Sequence, residues 1–245
     1  AGDPYLTAPP TESFSAAAAR DPKPLRIGVM TSTPGNALPL HADCLAAVER
    51  AARCFEQLGH SVEAAYPAAL DVADEDRQFI KVVSAWVAQG IDAVALRYGP
   101  PQEDDLEPHT EILYRMGKSL AATDYLQAQI WLQAHARAIA GWWDTGFDVL
   151  LTPTTTQPPP RIGEFSPSAA DPMAPLRGTV SYIAYTAPFN ITGQPAISLP
   201  FHRSADGLPI GVQCVAAMGQ EELLLSLAAQ AERAGAWPAV RPVTP

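Results

Sequence analysis

Basic residues are scarce in this chain. Only three lysines occur, Lys23, Lys81 and Lys118, and lysine plus arginine total 16 against 26 acids, a formal net charge of −10. No five basic residues run together. Phosphate binding depends on clustered positive charge, so the sequence argues against nucleic acid and anionic membrane surfaces as partners. Cysteine is equally sparse. Cys44, Cys54 and Cys214 are odd in number and widely spaced, without a C-x-x-C pair, which points to free thiols in a reducing, cytoplasmic setting. No uninterrupted run of 18 apolar residues exists, and the opening AGDPYLTAPP lacks both a positive and an apolar signal region. Neither a membrane span nor a secretion signal is therefore expected. Because the first residue is not methionine, a processed or cleaved amino end is expected.

Self-sufficient catalytic motifs are missing as well. There is no G-x-S-x-G elbow and no H-E-x-x-H, and the histidines at 41, 60, 109, 135 and 202 are scattered, so neither a metal nor a cofactor is expected. Gly117-Lys118-Ser119 imitates the end of a P-loop, but Ile112 stands where the leading glycine is needed to let backbone amides wrap phosphate. Lys81 and Ser84 have helical i, i+3 spacing, as a Ser–Lys pair would, yet a lysine stem lying along apolar surface is the commoner explanation. Asn190-Ile191-Thr192 is a glycosylation sequon only by letter.

What is present suits a globular chain, 47% hydrophobic and 17% charged over 245 residues. A chain of this size buries roughly 70–75% of its extended surface, enough for a core without disulfides or metal. Residues 1–24 carry five prolines and no apolar period, which predicts an extended arm supported from elsewhere, followed by a folded part over 25–245. LRIGVMT (25–31) reads as a buried strand, the stretch 41–58 as a helix stopped by Gly59, and SVEAAY (61–66) as a second strand, together a βαβ unit with a parallel pair. Residues 71–98 and 109–145 read as helices around the exposed loop GPPQEDDLEP, with Leu126, Ile130, Ala134 and Trp142 aligned as one stripe. FDVLL (147–151) is an apolar strand running into TPTTTQPPP. AISLPF and IGVQCVA, joined through Asp206-Gly207, read as a hairpin, and a last helix begins near Gln220 and stops at Gly235.

Three segments stand out in combination. DVLLTPTTTQPPP (148–160) gathers hydroxyls and rigid backbone at the carboxyl end of a strand, where open α/β sheets bind ligands. In APFNITGQPAISLPF (187–201), Asn190, Gly193 and Pro195 predict a sharp break before a strand, and DGLPIGVQ (206–213) supplies a turn and its return strand. In this order and spacing the segments resemble the C-terminal half of amidase-signature enzymes, most closely from 148 to 235 and least over 71–145. The opening AGDPY is similar to the stretch just after that family's Gly/Ser-rich signature.

The resemblance implies an α/β fold, a mixed β-sheet with helices on both faces, the amidase-signature α/β/α sandwich, of which this chain supplies the C-terminal portion. It also implies a Ser–cis-Ser–Lys triad in which lysine and the bridging serine relay the proton of the nucleophilic serine. The signature and the upstream lysine lie in the family's N-terminal half and are not in this chain, so no catalytic residue is assigned here. Carried over position by position, Thr152, Pro153 and Thr154 match the loop after the strand, and Asn190, Gly193, Gln194 and Pro195 match the family's turn. These seven are expected to line or shape an acyl-binding cleft, though turn geometry alone would also account for Asn190, Gly193 and Pro195. The expected partners are a small-molecule amide and the N-terminal half of the same enzyme, and a homodimer is compatible. Two alternatives remain at this point: the glutaminase subunit of a tRNA-dependent amidotransferase, and a non-catalytic ligand-binding or assembly domain.

Overall fold

The computed structural model describes residues 9–72, 74–102, 105–167 and 171–238. Helix α1 (Phe14–Ala18) precedes strand β1 (Arg26–Val29), helix α2 (Ala42–Gln57) and strand β2 (Ser61–Ala64). Three helices follow, α3 (Glu75–Tyr98), α4 (Pro108–Ser119) and α5 (Ala122–Ala140), then strand β3 (Val149–Pro153). Helices α6 (Ala174–Ile183) and α7 (Ala187–Thr192) lead into the hairpin β4 (Ala196–Arg203) and β5 (Pro209–Ala216), and α8 (Glu221–Arg233) closes the fold.

The strands form one mixed sheet in the order β2-β1-β3-β5-β4. β1 runs parallel to β2 and β3, while β5 lies antiparallel to both β3 and β4. Successive strand side chains point to opposite faces, and the cores follow that alternation. Ile27, Val29, Val149, Leu151, Leu199, Phe201, Val212 and Cys214 pack with α2 and α8 on one face. On the other face Met30, Leu150 and Val215 meet Ile139, Trp143, Tyr185 and Phe189. The expected mixed sheet with helices on both faces is therefore present, including the parallel β1–β2 pair around α2 and the β4–β5 hairpin.

Several local expectations change. The proline-rich arm is not uniformly extended, because Ser13 caps α1 through its hydroxyl and α1 rests on α8. Glu222 accepts hydrogen bonds from Glu12 N (3.0 Å) and Thr11 Oγ1 (2.9 Å), while Ser226 Oγ and Arg233 donate to the carbonyls of Arg20 and Ala18. Residues 1–8 of the arm lie outside the described residues. The single helical stretch 109–145 is divided at Leu120–Ala121, and its buried side is Ala128, Leu132, His135 and Ile139. Leu126 and Ile130, members of the expected stripe, are exposed. The expected break at Asn190 falls instead within α7, which ends at Gly193 with φ +71°, a left-handed cap suited to glycine. Finally, α3 is long and apolar enough by length and composition to cross a membrane, which no uninterrupted apolar run had suggested. Lys81 and Asp92 interrupt it, and it packs against α4 and α5.

Candidate functional site

All five residues of β3 are buried, and its parallel pairing with β1 brings the carboxyl ends of both strands to one side of the sheet. At this end Thr152 Oγ1 donates to Pro153 O (2.7 Å) and accepts from Gln213 Nε2 (3.2 Å), which also donates to Tyr185 O (2.8 Å). Two residues on, Thr154 Oγ1 lies 2.6 Å from Ser198 Oγ, joining β4 to the loop after β3. Gly211 permits this approach: a Cβ there would stand 2.6 Å from Ser198 Oγ and 2.8 Å from Thr154 Oγ1. Thr156 is tied through both N and Oγ1 to Ser181 O. The result is a hydroxyl and carboxamide network across β3, β5 and β4, buried at Gln213 and opening to solvent at Ser198.

The remaining predicted site residues lie elsewhere. Asn190 is exposed on α7, and Gly193 N donates to Phe189 O. Gln194 is buried, with Nε2 donating to Ala216 O (3.0 Å), whereas its Oε1 has no partner among the described residues. Pro195 O accepts from Ala216 N (3.1 Å). Because Ala216 pairs with Val149 and Val212 with Pro153, Gln194 and Pro195 sit at the amino end of β3 and Thr152–Thr154 at its carboxyl end. At about 3.3 Å per residue the two groups are separated by roughly the length of the strand. Within this chain they do not meet.

Beside the carboxyl ends of the strands is a cavity of about 440 Å³ between the loop after β1, the start of α3, and α6–α7. Its lining combines the apolar Leu38, Leu70, Val180 and Ile183 with the acidic Asp71, Asp74 and Glu75. Glu75 hydrogen-bonds His135 Nε2 (3.0 Å), and His135 stacks on Trp131 with ring centroids 4.8 Å apart. Burial pushes the Glu75 carboxyl above the usual glutamate range, and the His135 hydrogen bond pulls against that rise. Sequence reasoning missed this pair. Its only trace is an acidic run ahead of an apolar helix, which reads equally well as ordinary helix-start charge.

No nucleophile–base pair is assembled among the described residues. Ser84 Oγ donates back to Ile80 O (2.6 Å), and Lys81 Nζ reaches Gln78 Oε1 (3.4 Å) rather than the serine. Lys118 pairs with Asp92 (2.6 Å) on the helical surface, so the P-loop-like triplet holds no anion site. Burial raises the Cys214 thiol to about 12 and the Cys44 thiol to about 11, which suppresses thiolate chemistry at both. No cluster of three or more His, Cys, Asp or Glu able to hold a metal occurs among the described residues.

Comparison with known proteins agrees with this architecture. The Amidase family model matches residues 2–225. The chain is 35% identical over 247 residues to 6-aminohexanoate-cyclic-dimer hydrolase of Pseudomonas sp. (strain NK87), covering 98% of this chain and 50% of the relative. It is 36% identical over 251 residues to the enzyme of the same name from Paenarthrobacter ureafaciens, with the same coverage. The structure of 6-aminohexanoate cyclic dimer hydrolase complexed with substrate superposes with a TM-score of 0.92 at 35% identity, over 99% of this chain and 52% of that one. The chain thus spans about half the length of the relatives it matches. The chain belongs to the amidase-signature family.

Proposed function

We propose that this chain is the C-terminal half of an amide hydrolase that converts a carboxylic amide and water to a carboxylate and an amine or ammonia. The observation that carries the reading is coverage: nearly the whole chain matches half of each relative. The absence of a nucleophile–base pair among the described residues is consistent with it. In this reading an N-terminal half supplies the Ser–cis-Ser–Lys triad. Its serine attacks the amide carbonyl, the lysine and bridging serine relay the proton to the leaving amine, and water then releases the acyl group. The amide named for the relatives, the cyclic dimer of 6-aminohexanoate, is the first substrate to try.

Thr152, Pro153 and Thr154, joined by Ser198 and Gln213, form this chain's wall of the acyl-binding cleft. Asn190, Gly193, Gln194 and Pro195 shape the turn that delivers β4 to that wall. The test is intact mass and denaturing electrophoresis of protein from the native source, coupled to amine and ammonia release from an amide panel that includes the cyclic dimer. A polypeptide of about twice the mass, or a co-purifying second fragment, with amine or ammonia release is the expected result. A single, inactive 26.1 kDa species overturns the reading.

A further inference from the structure

Helices α6 and α7 are separated by a joint at Ala184–Thr186, and both line the cavity, α6 through Val180 and Ile183 and α7 through Ala187 and Pro188. Another part of the lining, Pro34 to Leu38, comes from the loop after β1. That loop is braced across its own width, since Thr33 Oγ1 donates to Leu38 O (2.8 Å) and accepts from Leu38 N (3.3 Å). It therefore keeps its shape and moves with its base. The joint is tied to that base through one side chain. Tyr185 Oη donates to Ser32 O (3.0 Å), and among the described residues no other hydrogen bond joins α6 or α7 to this loop.

Tyr185 does not line the cavity itself. Its ring is buried under it, among Met30, Leu70, Leu150 and Val215, and Leu70 also belongs to the lining. On the main-chain side, Tyr185 O accepts from Gln213 Nε2 (2.8 Å), the same amide that donates to Thr152 Oγ1 on β3. One residue thus fastens the joint to the sheet through its carbonyl and to the loop after β1 through its hydroxyl. Burial pushes the phenol up, so the hydroxyl stays protonated and remains a donor. A phenylalanine would fill the same space. The hydroxyl adds little to packing, and a buried hydroxyl is costly unless bonded, so what it contributes is a fixed geometry.

We propose that Tyr185 is a positioning residue whose hydroxyl holds the loop after β1 and the α6–α7 joint at the spacing with which the cavity grips an aliphatic acyl chain. The proposal rests on the reading of the chain as half of an amide hydrolase. The apolar Leu38, Leu70, Val180 and Ile183 suit the methylenes of such a chain, and the shared Gln213 carries the spacing to Thr152 at the end of β3. Loosening the joint weakens the hold on a long acyl chain, whereas an acyl group of two carbons is too short to depend on it.

The test compares the parent with Tyr185→Phe, each produced in the native host with any longer polypeptide or second fragment retained, by amine and ammonia release from acetamide, hexanamide and the cyclic dimer of 6-aminohexanoate. The KM for hexanamide is expected to rise at least about fivefold, that for acetamide less than about twofold, with kcat within about threefold of the parent. A residue that served folding alone would lower the active fraction, and so kcat, without moving KM. A smaller rise for hexanamide, a rise for acetamide as large, or a fall in kcat at constant KM overturns the proposal and leaves the hydrolase reading standing. Where the parent hydrolyses only the cyclic dimer, a rise of at least about fivefold in its KM supports the proposal and a smaller one overturns it. A parent that releases neither amine nor ammonia from any of the three overturns the proposal and the reading together. Should Tyr185→Phe not fold, Gln213→Met frees the carbonyl side of the same joint and is read by the same KM thresholds.

Discussion

Strand β3 and helix α3 are both apolar in sequence, yet their surroundings are opposite. Every residue of β3 is buried, whereas in α3 the buried residues are Gln78, Ser84 and Ala88, three of 24. Several large apolar side chains of α3 are exposed, Trp86 to 66% and Leu96 to 92%. β3 is central in a sheet covered on both faces, so its burial is completed within this chain. α3 is packed on one side only, through small residues, against α4 and α5. An apolar run therefore states a need for burial, and the amount of chain present decides whether the need is met.

Substitutions can break or sharpen this contrast. The largest effect is expected in the sheet core, where Phe201 is fully buried against Phe55 and Trp237. Phe201→Ala is expected to cost about 3–5 kcal/mol in denaturant unfolding. A loss below about 1 kcal/mol would mean that this face is not the stabilising core. Next comes the α3–α4 contact. A Cβ on Gly117 would lie 2.0 Å from Ser84 O, so Gly117→Ala is expected to cost about 1–3 kcal/mol, read as a fall in melting temperature. An unchanged melting temperature would show that these helices separate freely.

Glu75 tests the cavity side of α3. Its folded pKa is raised chiefly by burial, so above pH 4.5 the folded state holds more protons than the unfolded state, and stability falls as pH rises through the raised value. Glu75→Gln cannot titrate. Its melting temperature relative to the parent is expected to improve from about pH 4.5 until the pH passes the raised folded value and then to level off, and a flat difference throughout would refute the buried-acid assignment. Thiol chemistry follows the same contrast. Cys54 is half-buried, whereas Cys44 and Cys214 are buried, so iodoacetamide at pH 8 is expected to label Cys54 first by mass spectrometry. Early labelling of Cys214 would mean that the sheet core opens. The smallest effect is expected on the outer face of α3, where Leu96→Ser in this chain should change stability by no more than about 0.5 kcal/mol. The same change costing several times more in a longer polypeptide would show that the second half covers α3.

Elements with a strong local period were legible in the sequence. FDVLL and the hairpin strands alternate or run apolar between turn residues, and the closing helix carries acids at its start and Gly235 at its stop. α7 was not, because its Asn, Gly and Pro are turn formers by local chemistry, yet the first of them sits inside a six-residue helix. The α5 stripe was misassigned because apolar residues stand on two sides of that helix, and packing rather than spacing selected Leu132 and Ile139 over Leu126 and Ile130. In the candidate site, Thr152–Thr154 could be found from the apolar strand β3, at whose carboxyl end they lie. Ser198 and Gln213 could not, since they reach those threonines from 44 and 61 residues away.

By itself, the sequence determined the family and the mixed sheet, because motif order and alternation are properties of one dimension. Only the tertiary structure decided that Thr154 meets Ser198, that Glu75 is buried against His135, and that the turn at Gln194 lies at the far end of β3 from the threonines. Those outcomes depend on strand register and helix packing, which bring together residues that no local propensity connects.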